Sequence, residues 1–278
     1  MEKMKYNMEK EIKLKCIACG SDELIAYAHP LYKKCSICGC IIQTEEIHEI
    51  NDYYEEIPLD NSHQKGSYKS YLKKIVEKVD VRSFFLVDIG AGDGTFVNEA
   101  IKHPFKNVYG YDISDIAVNN LGKKKMFADM EKIQKLRPKI ITAFQVIEHQ
   151  SDPQAFLQKF ECKEGDFLVL TSPGVDASSA KKMHSSGKWK SLSPSHHLCL
   201  YSEKGMAHLL ENSGFRIISY EYVWSACHGA IDNFKKYLKK ILYYILKKVL
   251  GRKADFPSFY WKNSFVVIAQ KMKSHADC

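Results

Sequence analysis

Four cysteines stand in two close pairs, Cys16-x2-Cys19 and Cys35-x2-Cys38, with fifteen residues between the pairs. Each turn offers two thiolates to one ion, and two turns together close a tetrahedral four-sulfur shell. Gly20 and Gly39 follow the second cysteine of each pair, where a tight turn favours a residue tolerant of positive φ. Four ligands leave no spare coordination position, so the expected metal is a structural zinc, and a ribbon this small should need it to fold. Cys40 is an alternative to Cys38, at a less favourable x4 spacing from Cys35. The other four of the nine cysteines are scattered and read as packing or exposed thiols.

A second constellation is Asp88-Ile89-Gly90-Ala91-Gly92-Asp93-Gly94. Closely spaced glycines let the backbone turn sharply and let a ligand lie against it. The dinucleotide pattern G-x-G-x-x-G would need glycine at 95, where Thr95 stands. Asp88 and Asp93 would repel a pyrophosphate and attract a cation. Asp112 follows Gly92 by twenty residues, where an acid can accept hydrogen bonds from both ribose hydroxyls. Asp129, ending the next apolar stretch, is placed to meet an exocyclic amine. A nucleoside with no phosphates and a positive centre meets all these conditions, which points to S-adenosylmethionine.

A third set is Glu148-His149 and His196-His197. A hydroxyl that accepts a methyl group must lose its proton, to a positioned base or under the pull of a metal ion. Glu148, His149, His196 and His197 are therefore the candidate catalytic residues. In one reading an imidazole is the base. In another, Glu148, His149 and one of His196 and His197 share a divalent cation; in a third, Glu148-His149 only shapes its loop.

Short apolar runs alternating with helical stretches must position these side chains, which predicts an α/β sheet. The expected strands are 84–90, 107–113, the short MFADM stretch, 139–146, 166–172, RIISYEYV and SFVVIAQKM. A helical rhythm covers 67–80, Asp152-Pro153 should open another helix, and Ser202 to Gly214 should bound a third. Residues 1–45 read as the zinc-ribbon-like domain, 46–66 as a linker or lid, and 67–278 as the larger domain. The stretch 173–201 reads as a long loop, with Trp189 and several lysines, that could cover an acceptor.

In this order and spacing, VDIGAGDGTF, YDIS, FADM and AFQVIEHQSDP resemble the class I S-adenosylmethionine-dependent methyltransferases over about residues 67–271. The resemblance implies a Rossmann-like seven-stranded sheet, order 3-2-1-4-5-7-6, with the last strand antiparallel. It also implies that Gly90, Ala91 and Gly92 pass under the methionine and ribose, with Asp88 beside them. Asp112 would hold the ribose, Ile113 would pack on adenine, Asp129 would meet its amino group, and Gln145 would line the methionine end. With the ribbon in front, the chain looks like a bacterial group that methylates sugars, glycans or metabolites. Gln145-x-x-Glu148-His149 with the later histidines also resembles the metal motif of RNA 3′-terminal 2′-O-methyltransferases, with Gln145 in place of its first carboxylate. A binding module with a vestigial methyltransferase fold is the non-enzyme alternative; the intact glycine turn speaks against it.

Net charge is +8, but residues 231–253 alone carry +7, leaving +1 for the other 255 residues. That argues against a nucleic-acid-coating surface and for a local anionic partner. Residues 231–250 read as an amphipathic helix: Phe234, Leu238, Ile241, Leu242, Ile245 and Val249 share a stripe flanked by lysines. Such a helix can lie on an anionic membrane surface, pack internally or form a dimer contact. The first fifteen residues are charged and no apolar run approaches a membrane span, so a cytoplasmic location, peripheral on the inner membrane face, is expected.

Overall fold

Three short strands come first among the described residues of the computed structural model, which are 14–44, 61, 64–123, 127–177, 180, 189, 191–193, 196–223, 230–249 and 263–273. They are β1 (Leu24–Ala26), β2 (Tyr32–Cys35) and β3 (Ile41–Gln43), paired antiparallel in that order. The alternating region follows: α1 (Lys65–Lys78), β4 (Phe85–Ile89), α2 (Thr95–Ala100), β5 (Asn107–Tyr111), α3 (Asp115–Lys123) and α4 (Met130–Lys135). Then come β6 (Lys139–Phe144), α5 (Pro153–Gln158), β7 (Phe167–Pro173), β8 (Cys199–Leu200), α6 (Glu203–Asn212), β9 (Phe215–Val223), α7 (Ala230–Val249) and β10 (Ser264–Lys271).

The main sheet has the order β5-β4-β6-β7-β10-β9. Its first four strands are parallel, and β10 runs antiparallel to both neighbours. These central strands are buried almost throughout, as apolar runs covered on both faces should be. The order is that implied by the resemblance, with one difference. Among the described residues, which leave out Met126, the third strand expected at MFADM is a single parallel bridge between Gly110 and Phe127. The reason is local: Asp129 accepts the Lys132 N–H at 2.8 Å and caps α4, so the chain turns into helix directly after the bridge.

Other helix ends follow their sequence signals. Asp152 accepts from Ala155 N–H with Pro153 in the first turn of α5. Ser202 caps α6 by accepting from Gly205 N–H. At the N-terminal end of β6 the buried Lys139 ammonium donates to the carbonyls of Ile133 and Phe160, capping two helix C-terminal ends.

The ribbon takes its fourth strand from far along the chain. β8 pairs antiparallel with β3, Ile41 opposite Leu200 and Ile42 opposite Cys199. Cys16, Cys35 and Cys38 then share one buried cluster with Leu209, Leu210 and Phe265 of the larger domain. The stretch 173–201 is thus not wholly loop, and Trp189 is buried with Tyr32, Ile41 and Leu200 rather than held over a cavity. Most of the linker or lid at 46–66, residues 178–179 and 181–188 of the loop, and 250–253 of the basic segment lie outside the described residues. Among the described residues no helix is long and apolar enough to cross a membrane.

Candidate active site

The parallel strands deliver the first set of residues to their C-terminal edge, where open α/β sheets bind ligands. After β4 the chain passes through Gly90 and Gly92 in left-handed conformations, φ +73° and +53°. A Cβ at Gly90 would stand 2.7 Å from Val146 Cγ2, so the glycine turn abuts the segment after β6. The N–H groups of Gly90 and Ala91 both donate to Tyr111 O. Asp112 accepts from Gly92 N–H at 2.8 Å and from Ser114 N–H at 2.9 Å, which fixes its carboxylate and leaves lone pairs on both oxygens. Ile113 beside it is 72 % exposed, an apolar side chain offered to solvent. Asp129 uses Oδ1 for its cap, leaving Oδ2 outside that bond.

Asp88 is fully buried at the end of β4, where Thr142 Oγ1 donates to its Oδ1 at 2.7 Å. Burial raises its pKa to about 8, the Thr142 hydroxyl offsets part of that, and the Asp112 charge adds to it. Asp93, by contrast, is spent on structure: it accepts from Asn61 N–H, Thr95 N–H and the Thr95 hydroxyl. Gln145 follows β6 at φ +58°, a left-handed conformation uncommon outside glycine. Its N–H donates to Thr171 O at 2.9 Å and its amide to Thr171 Oγ1 at 3.2 Å.

The turn after Gln145 gathers the third set. Ile147–His149 is a single 3-10 turn, tied to the segment before β8 by Leu198 N–H donating to Glu148 O. One ligand atom from each of Glu148, His149 and His197 lies within 4.8 Å of the others. His196 packs against the same group, its ring edge-on to that of His197 with centroids 4.5 Å apart and tilted to that of His149 at 5.4 Å. Nδ1 of His149 is 2.8 Å from His196 O, and Nδ1 of His197 is 2.7 Å from Ser191 O. Burial and the neighbouring rings lower the pKa of His149 to about 3, with the His196 and Gln145 carbonyls opposing. Burial lowers His197 to about 4 and also lowers His196. Burial raises Glu148 to about 8, and its own N–H and the Ser172 hydroxyl offset only part of this.

With the fold and these residues in place, comparison with known proteins is informative. Residues 61–220 match the family described as "Methyltransferase domain", more than half of the chain. The chain belongs to that methyltransferase family. No curated protein matches it. Among solved structures it is similar to an S-adenosylmethionine-dependent methyltransferase of Archaeoglobus fulgidus, at 16% identity and TM-score 0.46, covering 75% of this chain and 96% of that one. Magnesium protoporphyrin IX methyltransferase of Synechocystis PCC 6803 aligns at 13% identity and TM-score 0.47, over 79% and 91% of the two chains. A further S-adenosylmethionine-dependent methyltransferase, of Aquifex aeolicus, aligns at 15% identity and TM-score 0.44, over 81% and 98%.

As an S-adenosylmethionine-dependent enzyme, the methyltransferase must hold a nucleoside and a sulfonium, and its residues fit both. The exposed Ile113 and the carboxylate of Asp112 suit adenine and ribose, and the Gly90–Gly92 cradle has no room for a side chain at Gly90.

The methyltransferase also brings Cys16, Cys19, Cys35 and Cys38 together, their sulfurs all within 4.8 Å of one another. Cys16 Sγ lies 3.6 Å from Cys38 Sγ, and Cys19 Sγ 3.6 Å from Cys35 Sγ. The edge of a tetrahedron with metal–sulfur bonds of about 2.3 Å is about 3.8 Å, so the geometry suits one zinc. Cys40 is outside this set: Ser202 N–H donates to its Sγ, 3.5 Å away.

Four contributors went unseen in the sequence. The Thr142 hydroxyl donates to Asp88, the Ser172 hydroxyl lies near enough to Glu148 to offset part of its raised pKa, and the Ser191 backbone carbonyl holds Nδ1 of His197. Tyr32 donates from the ribbon to the carbonyl of His197. A lone hydroxyl or a backbone carbonyl carries no sequence signal for such a role.

Proposed function

We propose that the enzyme O-methylates a hydroxyl of a sugar, glycan or other small metabolite. The observation that carries this reading is the group of Glu148, His149 and His197, polar and proton-handling, in the turn that follows Val146, whose side chain abuts Gly90. A nitrogen or carbon acceptor that is already nucleophilic would need no such group. When bound, S-adenosylmethionine supplies an electrophilic methyl on a sulfonium. Asp112 would hold the ribose, Ile113 the adenine face, Asp129 the adenine amino group, and Gly90, Ala91, Gly92 and Gln145 the methionine end. Asp88 would supply negative charge near the cofactor's positive centres. The group after Gln145 would orient the hydroxyl and draw off its proton, while alignment of acceptor and methyl does most of the rest. The four sulfurs support one structural zinc.

The same group supports the RNA 3′-terminal reading, and charge separates the two. Outside 231–253 the chain carries only +1, too little for a phosphate-binding surface of several contacts. Labelled methyl transfer from S-adenosylmethionine into glycan, metabolite and RNA pools tests this. Label in an ether methyl of a glycan or small molecule is expected; label in RNA alone would overturn it.

The basic helix supports association with an anionic lipid surface. On α7, Leu238, Leu242, Ile245, Leu246 and Val249 are exposed with Lys247 and Lys248 beside them, an apolar stripe with a cationic edge. Sedimentation with phosphatidylserine vesicles is expected, and with phosphatidylcholine vesicles alone it is not. Equal recovery with both, or with neither, would remove this assignment.

A further inference from the structure

The segment between β9 and β10, residues 224–263, is rooted beside the candidate active site. β7 and β9 both run antiparallel to β10, so β9 ends at the same edge of the sheet as β7. There Pro173, Ser264 and Val223 stand side by side on three neighbouring strands. Asn263 N–H donates to Val223 O at 3.2 Å, and Gly174 N–H donates to Asn263 O at 3.1 Å. Gly174 also forms a parallel bridge with Tyr201, and Val175 N–H donates to Tyr201 O at 2.9 Å. The Tyr201 hydroxyl donates to Ile147 O at 3.5 Å, in the turn that carries Glu148 and His149. With strands about 4.8 Å apart, the root on β10 lies about 10 Å from the end of β6, which Gln145 follows.

α7 grows from that root. The chain from Val223 to Ala230 reaches no more than about 25 Å, so the helix begins within that distance of the site's edge. Its 20 residues make a rod about 30 Å long. Leu238, Leu242, Ile245, Leu246 and Val249 share one face of it and are all exposed. Residues 231–253 hold eight Lys and Arg against one Asp. Two copies meeting through this stripe would press two strongly cationic segments together, which disfavours a dimer. An anionic bilayer meets both needs, since acyl chains take the stripe and headgroups take the lysines. The helix is not apolar enough to cross, so it lies in the plane of the interface.

We propose that the acceptor is itself anchored in the membrane: a sugar or glycan hydroxyl on the headgroup of a lipid, met at the surface on which α7 lies. This names the substrate class of the same site, and it rests on the hydroxyl reading and the lipid association above. A soluble metabolite is no more concentrated at a bilayer than in bulk, so an anchored enzyme does not favour it. A lipid-borne headgroup is confined to the same layer as the enzyme, which raises its effective concentration. It also needs the mouth of the site to face the interface, and a helix rooted at the strand ends turns that edge toward the lipid. In the transfer an oxygen–carbon bond forms as the sulfur–methyl bond breaks, and the hydroxyl proton passes by the histidine group to water. The products are a lipid-anchored methyl ether, S-adenosylhomocysteine and one proton.

The full-length protein is given labelled S-adenosylmethionine with the membrane fraction, and separately with the soluble fraction, of the cells that naturally make it. Label is expected in an ether methyl of material that chloroform–methanol extracts from the membranes. The double variant Leu242→Glu/Leu246→Glu should label intact membranes about tenfold or more slowly than the wild type. Dissolving the same membranes in detergent should narrow that gap to about threefold or less. Lys247→Glu/Lys248→Glu, which changes only the cationic edge, should show the same pattern. Near-ultraviolet circular dichroism and calorimetric binding of S-adenosylhomocysteine show that each variant is folded. Ether label confined to soluble small molecules would overturn the lipid acceptor and keep the hydroxyl reading. Lipid label on a nitrogen or carbon would keep the lipid acceptor and defeat the hydroxyl reading. Equal rates on intact membranes for wild type and folded Leu242→Glu/Leu246→Glu would defeat delivery by α7. A wild-type dimer that this variant splits, with unchanged sedimentation on phosphatidylserine vesicles, would make the stripe a contact between copies and overturn the proposal.

Discussion

The Tyr32 hydroxyl in the ribbon donates to the backbone carbonyl of His197, 165 residues away, at 3.2 Å. The cysteine-rich segment thereby touches the segment that carries the histidine group.

Tyr32→Phe should weaken that support while leaving the cofactor residues alone. One hydrogen bond at about 0.5–1.5 kcal/mol lowers the melting temperature by a few degrees, at about 2–4 °C per kcal/mol for a chain of this size. The expected signature is a lower kcat with unchanged S-adenosylhomocysteine affinity. A calorimetric affinity that falls with kcat would place Tyr32's influence elsewhere.

Gly90→Ala puts a Cβ 2.7 Å from Val146 Cγ2 at φ +73°. Strain of about 1–3 kcal/mol should appear as weaker cofactor binding, about fivefold to a hundredfold. Adding Val146→Ala removes the contact but not the backbone strain, so it should restore part of the affinity. Calorimetry of the single and double variants decides, and an unaffected single variant would show that the cradle does not bear on binding.

Cofactor binding should release a proton through Asp88. Its carboxyl, with a pKa of about 8, is mainly protonated at pH 7, between the Thr142 hydroxyl, the Asp112 carboxylate and the Tyr68 phenol. A bound cation favours the ionised form and lowers that pKa, so a proton leaves on binding. Affinity for S-adenosylmethionine then rises with pH and levels off above about 8. Calorimetry in two buffers of different ionisation enthalpy measures the release, and Asp88→Asn should abolish it.

Zinc analysis should find the four-sulfur ion in the wild type and lose it in Cys35→Ser. Because Cys35 shares a core cluster with Leu209 and Phe265, the loss should reach the larger domain. Several kcal/mol would lower the melting temperature by on the order of 10 °C. Full zinc retention in the variant would remove Cys35 from the shell.

The sequence was most informative where neighbours in the chain are neighbours in space. The Asp88–Gly94 turn, the Asp152 and Ser202 caps and the two cysteine pairs all act within a few residues of themselves, so spacing reveals them. Asp112 was legible because the distance between two adjacent strand ends is nearly constant. Of the MFADM strand the described residues keep one bridge, because Asp129 serves as a helix cap, which the same residues permit. Glu148 was legible as a candidate catalytic residue beside His149, but its complete burial was not, because that depends on elements that only the fold brings together. Nothing in a two-residue strand such as β8 distinguishes it from loop.

Synthesis runs from the N-terminus, so β3 leaves the ribosome long before β8 exists. Their pairing joins Ile41 to Leu200 and Ile42 to Cys199. At about 5–20 residues per second, the intervening segment takes about 8–30 s to make. Throughout that interval the nascent ribbon carries an open, apolar strand edge, the kind that pairs with other chains. Early capture of metal by the cysteines would shorten the time that edge spends disordered, but only the arrival of residues 199–200 can close it.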